Sequence, residues 1–165
     1  MSRKVLVAGV GNIFLGDDGF GVEVARRLAM TALPEGVKVA DFGIRGVHLA
    51  YELCDDYDTA ILVDAAPRGG QPGTLYVIEP DRLDTSDSAT AERGALLDAH
   101  GMQPEAVLGL LNVLGGHVRQ VYVVGCEPSS IEERMGLSEP VEQAVDEAVR
   151  VVHELLAPVA ATQEV

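Results

Sequence analysis

Short apolar runs alternate along this chain with segments in which apolar residues recur every three or four positions. The run K-V-L-V-A-G-V over Lys4–Val10 is apolar almost throughout and meets glycine, which is typical of a strand buried on both faces of a parallel sheet. A loop over Gly11–Asp17 follows. Phe20, Val24 and Leu28 then recur at intervals of four and mark the buried face of a helix. The chain is therefore expected to open with a strand, a loop and a helix.

The same alternation continues along the chain and predicts the remaining elements. They are a strand over Val37–Phe42, a helix over Gly46–Asp56, a strand over Thr59–Val63 that ends at Asp64, a strand over Thr74–Ile78, a helix over Pro104–Leu114, a strand over Gln120–Gly125, and a helix from about Glu139 to Leu156. The turn residues Gly69–Gly73 leave no room for a helical crossover, so strand 74–78 should pair with strand 59–63 in antiparallel orientation. This order predicts the α/β class, as a three-layer α/β/α sandwich with a mixed, mostly parallel sheet of about five strands.

We expect one domain over residues 1–165. Pro158 should follow the end of the last helix, leaving residues 160–165 as a loose tail. The polar segment 80–101 is long for an ordinary connection and is interpreted as a surface loop that carries His100.

The charge balance removes several classes of function. The 165 residues include 12 basic and 26 acidic side chains, a formal charge of −14, while 47% hydrophobic residues suffice for a core. An acidic surface repels phosphate backbones and anionic lipids, so we expect neither a nucleic-acid nor a membrane partner. The chain has no signal-like segment or membrane span, and Cys54 and Cys126 form no C-x-x-C motif. A cytoplasmic protein with two plain buried thiols is predicted.

Acidic residues follow the predicted strands at the end where α/β sheets bind ligands. They are Asp17, Asp18, Asp41, Asp64 and Glu127. Carboxylates at one edge of a sheet can hold a cation or transfer protons. A dinucleotide fingerprint begins at Gly9 but fails, because Phe14 stands where its third glycine belongs and two aspartates occupy the phosphate position.

Two of these carboxylates and one histidine could form a single site. One aspartate suffices to cap the first helix, and adjacent residues point in different directions, so Asp18 is free to face the cleft while Asp17 caps. Asp64 ends a buried strand, where an ionised carboxylate needs a partner or a cation. A loop histidine such as His100 is commonly solvated or capping, but with Asp18 and Asp64 it would complete an O/O/N set with open coordination positions.

The phrase G-V-G-N-I-F-L-G-D-D-G-F-G over Gly9–Gly21 resembles that of the NiFe-hydrogenase maturation endopeptidases. The strand ending in Asp64, the triplet Ala99-His100-Gly101 after a long loop, and the V-G-C-E-P segment over Val124–Pro128 reinforce the resemblance. It covers nearly the whole chain, with the family's elements in order.

The resemblance implies a metal-responsive site made of Asp18, Asp64 and His100. Asp18 and Asp64 become the candidate catalytic residues, and Asn12 and Asp17 the candidates for positioning substrate, although Asn12 is equally suited to forming a turn. Members of the family carry Asp or Glu at the position of Asp18. Whether either aspartate also activates water as a general base is left open.

The function implied is an aspartate-dependent endopeptidase that removes the C-terminal extension of a nickel-loaded hydrogenase large-subunit precursor. Nickel would be supplied by the precursor, and no tightly bound cofactor of the enzyme's own is expected. The absence of a visible Ser or Cys nucleophile with a neighbouring base disfavours acyl-enzyme chemistry. The alternatives are a self-contained metallohydrolase with its own metal, and a non-catalytic nickel- or nucleotide-binding module.

Overall fold

The computed structural model describes residues 3–79 and 104–163. Within them the chain forms five strands and four α-helices, and a short 3-10 turn over Gly16–Gly19 lies between the first strand and the first helix. The elements in order are β1 Val5–Val10, α1 Phe20–Leu28, β2 Val37–Gly43, α2 Gly46–Leu53, β3 Thr59–Ala65, β4 Leu75–Ile78, α3 Pro104–Val113, β5 Gln120–Cys126 and α4 Glu139–Gln163. The predicted α/β class is confirmed.

The strands form one mixed sheet in the order β2-β1-β3-β5-β4. Val5 pairs with both Val37 and Thr59, and Thr59 pairs with Gln120, so four parallel strands start together at one edge of the sheet. β4 runs antiparallel to β5. The direction of β4 relative to β3 is as predicted, but the expected pairing of these two strands is wrong, because β5 lies between them.

Helices cover both faces of the sheet and separate two apolar cores. α1 and α4 bury Phe20, Leu28 and Val145 against one face. α2 and α3 bury Leu49 and Leu110 against the other. Each such side chain contributes roughly 1.5–3 kcal/mol when it is fully buried. All six residues of β1 are buried, which explains why its sequence is continuously apolar rather than alternating.

The last helix extends further than the sequence predicted. α4 continues to Gln163 with Pro158 inside it, so the expected end at Leu156 is wrong, and residues 160–163 are helical rather than a loose tail. The sequence predicted an end at Leu156 because the apolar stripe of the helix stops there, and Leu156 is indeed buried, at 1% exposed. Beyond it Ala157, Ala160 and Ala161 have high helix propensity, which offsets the backbone hydrogen bond that a proline cannot donate.

Across the described residues, no helix combines the length and the apolar character required to cross a bilayer.

Candidate active site

The two predicted catalytic carboxylates lie where the strand order reverses. The chain passes from β1 to β2 on one side and then returns to β3 on the other, so the connections that leave β1 and β3 diverge. Such a switch point opens a crevice at the carboxyl ends of the strands. Asp18 lies in the 3-10 turn after β1, and Asp64 lies at the end of β3.

Two glycines of the opening phrase allow the backbone to pack closely here. A Cβ atom on Gly11 would lie 1.8 Å from the carbonyl oxygen of Asp18 and 3.6 Å from Asp64 Oδ1. A Cβ on Gly21 would lie 1.9 Å from the carbonyl oxygen of Val63. Because no side chain intervenes, the start of α1 packs directly on the ends of β1 and β3, and the backbone carbonyl of Asp18 and the carboxylate of Asp64 both lie beside Gly11.

The backbone of the β1 loop fixes the Asp18 side chain. The amide of Asn12 donates a hydrogen bond of 2.8 Å to Asp18 Oδ2, and the Asp18 amide donates 3.1 Å to the carbonyl of Leu15. The carboxylate is half-buried, so part of it remains accessible at the crevice. A carboxylate held in this way can accept a proton or bind a cation without reorganising.

The side chain of Asn12 shapes the same loop. Its Oδ1 accepts a hydrogen bond of 2.9 Å from the amide of Phe14, which is an Asx turn. This contact supports the turn-forming role that the sequence left open for Asn12. A substrate-positioning role for this residue stays a prediction.

Asp17 has the opposite environment from its neighbour. It is 1% exposed, and its carboxylate accepts hydrogen bonds from the amides of Ser129, Ser130 and Ser138 and from the Ser138 hydroxyl, at 2.7–3.1 Å. Burial alone would raise the pKa of Asp17, but the serine hydrogen bonds outweigh it and hold this pKa below its usual value. The geometry does not support direct substrate positioning by Asp17, because almost no surface of its side chain is accessible.

The carboxylate of Asp17 therefore anchors the segment between β5 and α4 to the turn that carries Asp18. The amide of Asp17 reinforces this connection with a 2.9 Å hydrogen bond to the carbonyl of Ser130. Ser138 was not identified from the sequence as part of this network. Its place just before Glu139, at the start of α4, was the available signal, since serine is common at helix N-termini.

Asp64 is 9% exposed and belongs to the β3 ladder, opposite Gly125 of β5. Its Oδ1 accepts a 2.8 Å hydrogen bond from the amide of Ala65. Since β3 is a central strand with a neighbour on each side, the sheet determines the position of this carboxylate.

Glu127 is a second buried carboxylate, and its hydrogen bonds hold neighbouring parts of the chain in place. It is 4% exposed, and Oε1 accepts hydrogen bonds from the amides of Arg68 and Gly70 and the Tyr76 hydroxyl at 2.7–2.9 Å. Burial would raise the pKa of Glu127, but these hydrogen bonds lower it. Glu127 thus holds the turn after β3 rather than facing the crevice as an open ligand.

Asp41 lies away from the switch point. The sequence grouped it with the acids that follow the strands, although the predicted strand 37–42 includes it. In the structure β2 continues to Gly43, and Asp41 pairs with Gly9 inside the ladder. A register shift between Gly9 and Val10 adds a residue to β2, which accounts for the longer strand. Asp41 is exposed on the edge strand, on the far side of β1 from Asp64.

The predicted third ligand, His100, lies outside the described residues. Over 3–79 and 104–163 there is no group of three or more His, Cys, Asp or Glu side chains that could hold a metal ion. His48 is exposed on α2, and His153 Nε2 lies 3.1 Å from the Thr31 hydroxyl on the α1/α4 face. Neither histidine joins Asp18 and Asp64.

The cysteines do not provide a nucleophile at this crevice. Burial, with further contributions from Asp17 and Glu127, raises the pKa of Cys126 to about 12, so its thiol stays protonated at neutral pH. Cys54 is exposed, contrary to the prediction of two buried thiols, because it follows the last buried residue of α2, Leu53. Its thiol lies 3.4 Å from the carbonyl of Ala50.

Comparison with known proteins identifies related sequences and structures. A family model described as hydrogenase maturation protease matches residues 22–155. A hydrogenase expression/formation protein of Azotobacter vinelandii is 31% identical over 156 residues, covering 93% of this chain and 72% of that protein. The solved structure of a hydrogenase maturating endopeptidase from Escherichia coli matches with a TM-score of 0.75 and 27% identity, covering 94% of this chain and 93% of that one. A hydrogenase 2 maturation peptidase from a Thaumarchaeota archaeon matches with a TM-score of 0.70 and 34% identity, covering 94% and 99%.

Proposed function

Because the chain belongs to the hydrogenase maturation protease family, we propose that it removes the C-terminal extension of a NiFe-hydrogenase large-subunit precursor after nickel has been inserted. Nickel is part of the substrate in this reaction. Asp18, Asp64 and His100 recognise it, and cleavage begins only when the precursor presents the metal.

The observation that supports this proposal most directly is that the turn carrying Asp18 and the carboxylate of Asp64 both lie beside Gly11 at the switch point. Carboxylate oxygens suit a divalent cation, and two of them leave most of its coordination positions to other groups. The ligands that hold nickel in the precursor and the imidazole of His100 would supply the rest. The enzyme would then bind its substrate through a metal that it does not itself retain.

The peptide bond is cleaved by water. An ionised aspartate within hydrogen-bond reach of that water can act as general base, and Asp18 is the better placed of the two because its carboxylate is more exposed. Asp64 is then the more deeply buried group, with its Oδ1 oriented by the Ala65 amide. In this division of roles Asp64 orients the metal, and Asp18 accepts the proton from water and returns it to the leaving amine as the C–N bond breaks.

The test is processing of a purified hydrogenase precursor in nickel-loaded and nickel-free forms, followed by mass spectrometry of the released extension. We expect cleavage of the loaded form alone. Equal rates on both forms would refute the nickel dependence while leaving the protease assignment intact. Retention of a stoichiometric metal by the active enzyme before it meets substrate would instead favour a self-contained metallohydrolase.

Variants at the crevice separate catalysis from binding. Asp18→Asn and Asp64→Asn should each reduce processing by at least about 100-fold, the scale expected when a general base or a charged ligand is lost. Asp41→Asn is the matched control, since Asp41 is an exposed carboxylate on the edge strand of the same sheet and should process normally. Full activity of Asp64→Asn would contradict the proposed site.

A further inference from the structure

A second concave site lies at the edge of the sheet opposite Asp18 and Asp64. The amino ends of β1, β3 and β5 and the C-terminal half of α4 enclose a pocket of about 510 Å³. This volume lies within the range that proteins use for small organic ligands. Val5, Thr59 and Gln120 stand in register across the three strands and line this pocket, so the sheet itself forms part of its wall.

One side of the pocket is apolar. Val5 and Leu156 are buried there, and Leu155 and Tyr122 are half-buried beside them. These side chains belong to the core between the sheet and the α1/α4 layer or pack against it. An aliphatic or aromatic group in the pocket would extend that core, with a gain of roughly 25 cal/mol for each Å² of apolar surface removed from water.

The other side carries two arginines, Arg3 and Arg119. Neither forms an ion pair with any residue in the ranges 3–79 and 104–163, whereas Arg27 and Arg150 each pair with carboxylates of α4. Both arginines are exposed, so their side chains are accessible to a ligand. Their guanidinium groups are suited to bidentate contact with an anion.

The balance of charge limits which anion fits. Arg3 precedes β1 and Arg119 precedes β5, on either side of β3, where Asp58 also lines the pocket. The carboxylate of Asp58 accepts a hydrogen bond of 2.9 Å from the Lys4 amide. Two guanidinium groups and one carboxylate leave a single net positive charge, which matches a monoanion better than a phosphate dianion.

We propose that this pocket binds a small organic monocarboxylate. Its carboxylate contacts Arg3 and Arg119, and its apolar body packs against Tyr122 and Leu155. The site lies at the opposite edge of the sheet from the crevice, and its existence does not depend on the proposed protease function.

The test is a titration of the full-length protein with octanoate, followed in ¹H–¹⁵N NMR spectra. Saturable shifts are expected for the amides of Thr59 and Gln120 and not for that of Asp18. Arg119→Ala should weaken binding at least about tenfold, the scale of one lost charged hydrogen bond. Arg26→Ala is the matched control and should bind as the wild type does, since Arg26 is an exposed arginine that pairs with Glu23 outside the pocket.

Three further probes separate the contribution of the ligand's apolar body from that of its charge. Acetate should bind more weakly than octanoate, because it lacks the apolar body, and octylamine and inorganic phosphate should not displace octanoate. The same spectra report whether each variant is folded, and Arg3→Ala repeats the test at the other arginine. Non-saturable shifts, equal binding by Arg119→Ala and Arg3→Ala, or equal binding of acetate would each overturn the proposal.

Discussion

Replacing Asp17 with asparagine exchanges one carboxylate oxygen for an amide nitrogen at a side chain that is 1% exposed. Oδ2 accepts hydrogen bonds from the amides of Ser129 and Ser130 and from the Ser138 hydroxyl, while Oδ1 accepts one from the Ser138 amide. An asparagine can keep its oxygen at the Oδ2 position. Its nitrogen then faces the Ser138 N–H, and two donors are left opposed.

The cost follows from the hydrogen bonds involved. A hydrogen bond to a charged group contributes about 1.5–3 kcal/mol and one to a neutral group about 1 kcal/mol. The variant loses one hydrogen bond, and its other three are made to a neutral acceptor in place of a charged one. An amide costs less to bury than a carboxylate, which offsets part of this loss. The net destabilisation is about 3–4 kcal/mol. In a protein of this size that lowers the Tm by roughly 10 °C.

The neighbouring substitution provides the control. Asp18 is half-buried, and its carboxylate accepts one hydrogen bond from a backbone amide, that of Asn12. Asp18→Asn should therefore cost less than about 1 kcal/mol in the free energy of unfolding, although it reduces processing by at least about 100-fold. Urea unfolding followed by far-ultraviolet circular dichroism measures both variants. A stability of Asp17→Asn within about 1 kcal/mol of the wild type, or an equal loss in Asp18→Asn, would refute the assignment of Asp17 as the structural aspartate.

Three further outcomes are expected. The pKa of Asp17 is lower in the folded state than in the unfolded state, where it is about 3.9. The stabilisation by its ionised carboxylate is therefore present above the unfolded-state pKa and is lost as the pH falls through the folded-state pKa. In urea unfolding between pH 5 and 2, the wild type should lose more stability than Asp17→Asn does. Glu127→Gln should accelerate hydrogen exchange at the amide of Gly70, which donates 2.7 Å to Glu127, and unchanged exchange would contradict that contact. Gly21→Ala should prevent stable folding, because its Cβ would lie 1.9 Å from a backbone oxygen. Gly115 has a φ of +79° but open space around it, so Gly115→Ala should lower the free energy of unfolding by only about 1–2 kcal/mol in a urea titration.

The buried strands could be predicted because their burial leaves a direct mark on the sequence. β1 and β3 lie between two helical layers, so every position in Val5–Val10 is buried and the run reads as apolar. The ends of elements carry weaker signals. α4 continues past its last buried side chain because alanines favour the helix, and β2 gains a residue through a register shift with β1. Neither effect changes the pattern of apolar residues.

The crevice was predictable for a related reason. Asp18 and Asp64 follow strands that are recognisable from their composition, and parallel strands end at the same edge of a sheet. The partners of Asp17 could not be found in this way. Ser129, Ser130 and Ser138 lie more than 110 residues from it in sequence and contact it through backbone amides, which every non-proline residue carries.

Burial divides the acidic residues at this edge of the sheet into groups with different roles. Asp17 and Glu127 are committed to backbone amides, and Asp41 lies on the edge strand. Asp18 and Asp64 are the two of these five that remain as candidate metal ligands. Two carboxylates provide fewer ligands than the four or more that a divalent cation takes. The proposal therefore assigns the remaining positions to His100 and to the ligands of the precursor. On this reasoning, free nickel added to a nickel-free precursor should not restore cleavage unless it enters the precursor's own metal site, so the decisive comparison is between loaded and unloaded substrate.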